Sequence, residues 1–354
     1  MFSQIYIKVL LFSTVILTTL STVAFAQVPE ARITGDFVVN VYAQTRNADE
    51  PDSDEVLTLQ LATTFDGIGG GTFQILASSD PTTVGDAGPF TYFADSNGNF
   101  TVVFPTDDNQ NTAFLSAISP DGQTFSGVSL DDNFRSLIFG IRESTGNTNA
   151  DLVGEFIYTN YLGIVDHENP ILADGIDAHV SVTKIVVDGN GNGTVEILSS
   201  SIPSDIGEIG AFTYAVADDG TFTVDSGNTG IGIVSPDSRS FTMINTQPDH
   251  QSISVGIKKS TGNTNASISG AYAFDFLLLN IGDETHEAHV SEKLLIIFDG
   301  NGNGTFEVRG ASTQSEEGAT GSFTYSISDD GTFTSNVDGD IITGIASADG
   351  QRLT

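Results

Sequence analysis

Short stretches in which apolar and polar residues alternate make up most of this chain. Phe323, Tyr325 and Ile327, for example, alternate with hydroxyl-bearing residues, which is the period of a β-strand with one buried face. After the first 26 residues, no window of about 11 residues has the apolar period of an amphipathic helix. The alternation therefore predicts an all-β protein.

The chain also repeats itself, with a period of about 115 residues. The hexapeptide STGNTN at residues 144–149 returns at 260–265, and VDGNGNGTV at 187–195 returns as FDGNGNGTF at 298–306. A more divergent copy of the second motif, FDGIGGGTF, stands at 65–73. These matches define a leader, residues 1–26, and three repeats with the boundaries 27–149, 150–265 and 266–354.

Eight strands are predicted in the second repeat: Leu152–Tyr161, His179–Val187, Thr194–Ser199, Ala211–Ala217, Thr221–Asp225, Ile231–Val234, Phe241–Asn245 and Ser252–Lys258. Most are joined by short turns rich in Asp, Asn and Gly, which are typical of hairpins. Eight antiparallel strands in sequential hairpins predict an up-and-down β-barrel, closed by pairing of the first and last strands. A β-sandwich module is the alternative, but Greek-key sandwiches need longer connections.

The third repeat is predicted to be truncated, with six strands: Gly270–Leu279, His289–Phe298, Thr305–Arg309, Ser322–Ser328, Thr332–Ser335 and Ile341–Ile345. The last two strands of the repeat have no counterpart. Because proteins seldom leave a long sheet edge open, we expect the array to continue beyond Thr354; the alternative is a six-stranded, partly open module.

Each repeat opens with an apolar-x-Gly-x-aromatic motif, seen as Ile33-Thr34-Gly35-Asp36-Phe37, Leu152-Val153-Gly154-Glu155-Phe156 and Ile268-Ser269-Gly270-Ala271-Tyr272. With the eight-stranded meander that follows, each repeat resembles the small barrels of the lipocalin and avidin class. The chain contains no Trp, so the Gly-x-Trp signature of lipocalins and the tryptophans of the avidin pocket are missing.

The resemblance implies one apolar pocket in each barrel. In the second repeat the candidate lining residues are Phe156, Tyr158, Phe212, Tyr214 and Phe222. The alternative is that these aromatics only pack the core. We favour packing, because many of the strands are short and enclose little volume.

The first 26 residues have the features of a secretory signal peptide. Lys8 precedes the apolar run Val9–Leu20, and Ala24-Phe25-Ala26 provides a small-x-small cleavage site. A membrane anchor is the alternative, although hydroxyl residues interrupt the run. We expect a secreted or cell-surface protein with no transmembrane span after cleavage.

The composition narrows the range of partners. The formal net charge is −34, which disfavours binding to nucleic acid or anionic lipid and leaves cations, basic surfaces, neutral glycans or a small apolar ligand. The chain has no Cys, so disulfides and thiol chemistry are excluded.

The Asp-Gly-Asn turns are the candidate metal sites. They match the first half of a calcium loop through Asp188, Asn190 and Asn192, and again through Asp299, Asn301 and Asn303, with Glu196 and Glu307 at the ninth loop position. Ser199 and Gly310 stand where a bidentate Glu should close the loop. A glycine-rich hairpin turn is therefore the favoured interpretation. Weak calcium binding is the alternative, and no other cofactor is predicted.

Histidines near the loop between the first two strands form a weaker metal candidate. They are His167 and His179 in the second repeat and His286 and His289 in the third. Because the first repeat has no histidine there and a zinc site needs three or four converging ligands, we favour solvated loop residues.

No spacing of residues matches a known catalytic motif, and a scaffold repeated three times distinguishes no single copy. We therefore expect a non-enzyme. The chain as a whole is similar to secreted bacterial tandem-repeat surface proteins, and we expect it to act as a structural or adhesive multivalent array. Lipocalin-like binding of a small apolar ligand is the alternative, and an enzyme is the third.

Overall fold

The strands of each repeat pair with one another in one sheet, and we call each such set of strands a module. The computed structural model of the chain describes residues 22–23, 33–45, 55–95, 98–105, 111–130, 134–165, 176–227, 229–247, 250–279, 289–311, 317–337 and 340–354. Modules one and two are closed antiparallel barrels of eight strands each, and module three belongs to an open sheet of seven strands. The predicted tandem up-and-down barrels are therefore confirmed over the sandwich alternative.

Module one is formed by β2 (Thr34–Thr45), β3 (Glu55–Asp66), β4 (Gly70–Ser78), β5 (Ala87–Ala94), β6 (Asn99–Pro105), β7 (Asn111–Ile118), β8 (Thr124–Leu130) and β9 (Phe134–Arg142). Each strand pairs with the next along the chain, and β2 pairs with β9 to close the barrel.

Module two is formed by β10 (Val153–Val165), β11 (Ile176–Asp188), β12 (Asn192–Ser200), β13 (Ile209–Val216), β14 (Thr221–Asp225), β15 (Thr229–Val234), β16 (Ser240–Gln247) and β17 (His250–Lys258). The pairing of β10 with β17, from Phe156 opposite Lys258 to Gly163 opposite Gln251, closes it. All eight strands predicted from the sequence are present.

Module three contains β18 (Gly270–Leu279), β19 (His289–Phe298), β20 (Asn303–Ala311), β21 (Thr320–Ile327), β22 (Thr332–Val337) and β23 (Asp340–Ile345). The six predicted strands are again present. A two-residue strand, β1 (Thr22–Val23), pairs antiparallel with β18 at Tyr272 and Ala273 and is the seventh strand of this sheet.

Four short 3₁₀ helices join strands or modules: Pro81–Thr83, Asn149–Asp151, Pro203–Asp205 and Asn265–Ser267. In the described part of the chain, no helix has the length and apolar character needed to cross a membrane.

The modules share details of register and packing. The pairing of the second and third strands shifts at the same place in each module, at Gln60/Leu61, Val182/Thr183 and Lys293/Leu294, which marks a β-bulge. The interior of module one is filled by aromatic rings around Phe65, which lies 4.9 Å from Phe90 and 5.5 Å from Phe37, centroid to centroid. Such edge-on contacts are favourable geometry for buried rings.

Candidate functional site

The Asp-Gly-Asn turn of module two connects β11 to β12 and is held by one carboxylate. Asp188 Oδ1 accepts hydrogen bonds from the backbone N–H of Asn190 at 2.7 Å and of Asn192 at 3.0 Å, while Oδ2 accepts from the Asn192 side-chain amide at 2.9 Å. The side-chain hydrogen bond from Asn192, with the two backbone donors, holds the pKa of Asp188 below its ordinary value. Gly189 and Gly191 supply the positive φ angles, 75° and 100°, that the turn requires.

Module three reproduces this turn. Asp299 accepts from the backbone of Asn301 at 2.7 Å, from the backbone of Asn303 at 2.9 Å and from the Asn303 side chain at 2.7 Å. In module one, Asp66 accepts from the backbone N–H of Ile68 and Gly70 at 2.8 and 2.9 Å. The carboxylate thus closes the hairpin in all three modules, including module one, where Ile68 and Gly70 replace the two asparagines.

The two glutamates of the calcium prediction have other partners. Glu196 forms an ion pair with Lys184 on the neighbouring strand, and Glu307 pairs with Arg309 at 2.9 Å. Among the described residues, no group of three or more His, Asp or Glu side chains is arranged to hold a metal ion. Calcium binding at these turns stays a prediction. It would have to compete with the hydrogen bonds that occupy Asp188 and Asp299.

Of the four histidines considered as ligands, His179 is half-buried in β11 and the backbone of His289 begins β19. His167 and His286 lie outside the described residues.

The five aromatic residues proposed to line a pocket in module two do come together inside the barrel. Phe156, Tyr214 and Phe222 are buried, whereas Tyr158 and Phe212 are half-buried. They pack with a sixth ring that the candidate set did not include, Phe241, whose centroid lies 5.6 Å from Phe156 and 5.8 Å from Phe222.

Two of these aromatics also have structural roles at the turn. The Tyr214 hydroxyl accepts from the backbone N–H of Gly189 at 2.9 Å and donates to the carbonyl of Leu152 at 2.8 Å, and burial raises its pKa. The ring of Phe212 lies over Gly193, where a Cβ would come within 2.2 Å of it. The last glycine of the motif is therefore required by packing.

A polar and aromatic cluster that the sequence pattern did not indicate lies between modules one and two. Tyr42 and Tyr161 are both fully buried and meet edge-on at 4.6 Å, centroid to centroid. Gln44 Nε2 donates to both hydroxyls, at 3.0 and 3.2 Å, and burial raises the pKa of Tyr42. Buried side chains of both barrels surround the pair, among them Phe139 and Ile253.

Modules one and three are joined by an equally buried contact. Asp275 on β18 forms an ion pair with Lys293 at 2.8 Å and accepts a hydrogen bond from Ser126 of module one at 2.5 Å. Ser291 also donates to the backbone carbonyl of Ser129 at 2.5 Å. These groups are removed from water, so each depends on its partner across the interface.

A third contact joins all three modules through equivalent turns. Asp121, Asp237 and Asp349 occupy the same position in the sequences SPDG, SPDS and SADG. Arg352, whose side chain is 1% exposed, lies 2.8 Å from Asp237 and 3.7 Å from Asp121, and Arg239 pairs with Asp349 at 2.6 Å. Although burial alone raises the pKa of Asp237, Arg352 and the hydrogen bonds to this carboxyl outweigh burial and lower it.

The STGNTN segments between the modules are fastened to the module that follows. Asn147 Nδ2 donates to the carbonyl of Asp218 at 2.8 Å, and Asn149 Oδ1 accepts from the backbone N–H of Val216 at 2.8 Å. Asn263 and Asn265 repeat these bonds in module three, at 3.1 and 2.8 Å. Together with the interfaces, these joints make the three modules one body.

Two exposed aliphatic side chains recur on the outside of both barrels. Leu76 and Val84 in module one are 43% and 48% exposed, and their counterparts in module two, Leu198 and Ile206, are 42% and 50% exposed. In each barrel the second residue of the pair follows the 3₁₀ helix that begins at a proline. We call the two pairs the aliphatic pairs. Module three has Arg309 and Glu317 at the same positions.

Comparison with known proteins adds no relative: the sequence matches no protein-family model and no curated protein sequence.

Proposed function

We propose that this chain is a secreted or cell-surface structural protein that adheres through repeated weak contacts. The observation that supports this proposal is the recurrence of the aliphatic pairs, Leu76 with Val84 and Leu198 with Ile206, at the same place on two barrels. Exposed apolar side chains that recur on one scaffold give two copies of one contact. The packed modules hold the two copies in a fixed geometry.

Such a contact gains strength from bivalency. When one copy has bound, the second binds at a high effective concentration, which can raise overall affinity by about 10²- to 10⁴-fold over a single contact. The charge of −34 makes basic surfaces one suitable partner, and neutral glycans and apolar surfaces are the others.

The test measures adhesion on poly-lysine, insoluble glycan and alkyl-coated surfaces with a mass-sensitive flow cell. We expect slow release of the wild-type protein from at least one surface, faster and similar release of Leu76→Ser and Leu198→Ser, and the fastest release of the double variant. The exposed positions Thr72 and Thr194, on the same two strands, provide the matched control, since Thr→Ser at both should leave release unchanged. Equal release of all variants would refute the proposal.

A small apolar ligand inside each closed barrel is the second candidate, and one observation favours it. Several side chains of the interior cluster in module two are only half-buried: Tyr158, Phe212, Val216, Val224 and Met243. Water-accessible apolar surface inside a barrel is what a small ligand would cover.

Because the chain has no Trp, Tyr158→Trp would place a single fluorescent reporter in that interior. The carrier hypothesis expects a saturable change in Trp emission with a fatty acid or an apolar dye. Emission that stays constant up to the solubility limit of the ligand would exclude it.

A further inference from the structure

The interior of module two is polar at one level of the barrel. Asn160 on β10 lies opposite Ser181 on β11 and Ser254 on β17, and Tyr158 lies opposite Thr183. Residues directly opposite each other share a face of the sheet, and so do alternate residues of one strand. Because Tyr158 belongs to the interior cluster, all five side chains point into the barrel. We call these five residues the polar belt.

Module one has aliphatic residues at the same five positions. Val41 lies opposite Leu59 and Ile138, and Val39 lies opposite Leu61. All of them belong to the interior cluster of module one. Polar groups in place of aliphatic ones inside a barrel lose free energy unless they find partners. The fold therefore does not require the polar belt, since module one closes without it.

Module two also lacks rings that fill this part of module one. In module one, Phe114 lies 5.6 Å from Phe104 and 6.1 Å from Phe134, centroid to centroid. Gly230 stands at the position of Phe114. The strands β14 and β15 contain five and six residues, whereas β6 and β7 contain seven and eight. Three residues of the polar belt are only half-buried: Tyr158, Asn160 and Ser181.

The polar belt can both donate and accept hydrogen bonds. Ser254 donates to Asn160 Oδ1 at 2.8 Å, and Ser181 Oγ lies 3.4 Å from Thr183 Oγ1. In the described part of the chain, Asn160 Nδ2 donates to no other residue. Burial raises the pKa of Tyr158 although its hydrogen bond with Thr183 lowers it, so this hydroxyl stays protonated. The belt contains no carboxylate, ammonium or guanidinium group, which matches a neutral ligand.

Aromatic rings lie beside the polar belt, toward the Asp-Gly-Asn turn. The ring centroid of Phe241 lies 6.1 Å from that of Tyr158, 5.6 Å from that of Phe156 and 5.8 Å from that of Phe222. A pocket that combines apolar walls with a few converging polar groups is typical of small-molecule sites. A neutral sugar suits both parts, because one face of its ring carries C–H groups and each hydroxyl can donate and accept.

We propose that the interior of module two binds one neutral sugar unit, either a free monosaccharide or the end residue of a neutral glycan. The polar belt would bind the hydroxyls of the sugar, and Phe241 would lie against its ring. Module one has no such site, because aliphatic side chains and Phe114 occupy the equivalent space. The site is distinct from the aliphatic pairs and so goes beyond the proposed adhesion. It also differs from the purely apolar interior of the second candidate function.

The test is an NMR titration of the full chain with glucose, galactose, mannose and N-acetylglucosamine, each free and as the end residue of a trisaccharide. We expect saturable binding of at least one sugar, and the two arms distinguish a free sugar from a glycan end. Thr183→Val removes one hydroxyl at nearly constant volume and should weaken binding about five- to tenfold. Thr213→Val, at an exposed position of β13, is the matched control and should leave affinity unchanged. Absence of binding, or equal affinity of the two variants, would overturn the proposal.

A second variant fills the site with residues of module one. Gly230→Phe/Met243→Gly installs the counterparts Phe114 and Gly127, and loss of Met243 makes room, since a Cβ on Gly230 would come within 2.8 Å of its Sδ. This variant should lose sugar binding and keep a cooperative melt in circular dichroism. Sugar binding that persists in it would place the sugar elsewhere. An apolar dye that binds the wild type where no sugar does would show an apolar interior. Either result would overturn the proposal, and neither would affect the adhesion proposal.

Discussion

The ion pair of Asp275 with Lys293 offers the sharpest test of the packing between modules. The Asp275 and Lys293 side chains are 0% and 3% exposed, and their charged groups lie 2.8 Å apart. At the equivalent position in module one, Gln60 donates to Asn40 Oδ1 at 3.1 Å, also in a buried setting. One module therefore uses two charges where another uses two neutral amides.

Removal of one charge should be far more harmful than removal of both. In Lys293→Gln the buried carboxylate of Asp275 loses the cation beside it and is left with neutral donors, the hydroxyl of Ser126 and the new amide. An uncompensated buried charge costs about 3–5 kcal/mol. The double variant Asp275→Asn/Lys293→Gln installs the amide pair of module one. It should lie within about 1 kcal/mol of the wild type, because neutral replacement of a buried pair is often tolerated.

The assay is urea unfolding followed by near-ultraviolet circular dichroism, with Asp275→Asn as the fourth member of a double-mutant cycle. We expect a coupling free energy of about 2–3 kcal/mol or more, at the upper end for residues in contact. A loss below about 1 kcal/mol for Lys293→Gln, or a double variant no more stable than that single variant, would refute the reasoning.

Three further predictions concern individual side chains. Burial, together with the nearby carboxylates of Asp36 and Asp219, raises the pKa of Glu143. Its ionised form therefore opposes folding at any pH above the pKa of the unfolded chain. Glu143→Lys should raise the free energy of unfolding by about 0.5–1 kcal/mol at pH 7, and melting curves at several pH values should show this gain disappear below about pH 4. Ser238 has a φ of 58° where the other repeats have glycine, so Ser238→Gly should raise stability by roughly 0.5–1 kcal/mol, and a lower Tm would contradict this. If the Asp-Gly-Asn turns bind calcium, millimolar calcium should raise Tm in the wild type but not in Asp188→Ala/Asp299→Ala; an unchanged wild-type Tm would end that hypothesis.

The strands could be predicted because local signals agree with the fold. Alternation such as Phe212, Tyr214 and Val216 marks an inward face, and the Asp-Gly-Asn turns fix the hairpins on either side. Where bounds differ, as for β11 at Ile176–Asp188, the structure extends the strand beyond the predicted segment, because pairing with a long neighbour continues where the apolar pattern stops.

The interfaces could not be predicted from the same pattern. The outward faces of β2 and β3 carry the polar residues Asn40, Gln44 and Gln60. Polar residues on one face of a strand indicate that this face contacts water, yet these three are buried against neighbouring modules. A weaker signal was present in Leu137-Ile138-Phe139, where consecutive apolar residues indicate a strand that is buried on both faces.

Of the candidate sites, likewise, some could be predicted from the sequence and others could not. The turn geometry around Asp188 follows from local residues and could be inferred, since Asx turns depend on positions only two to four residues apart. The contact of Arg352 with Asp121 and Asp237 joins residues from three repeats, and only the assembled fold brings them together.

Small-angle X-ray scattering tests most directly the central claim, that the three modules form one body. A compact protein of this length has a radius of gyration of about 20 Å, whereas three modules of about 13 Å each, joined end to end, would exceed about 25 Å. We predict the lower value, and we predict that it holds in moderate salt because the interfaces are buried rather than purely electrostatic. A radius of gyration above about 25 Å would contradict the account.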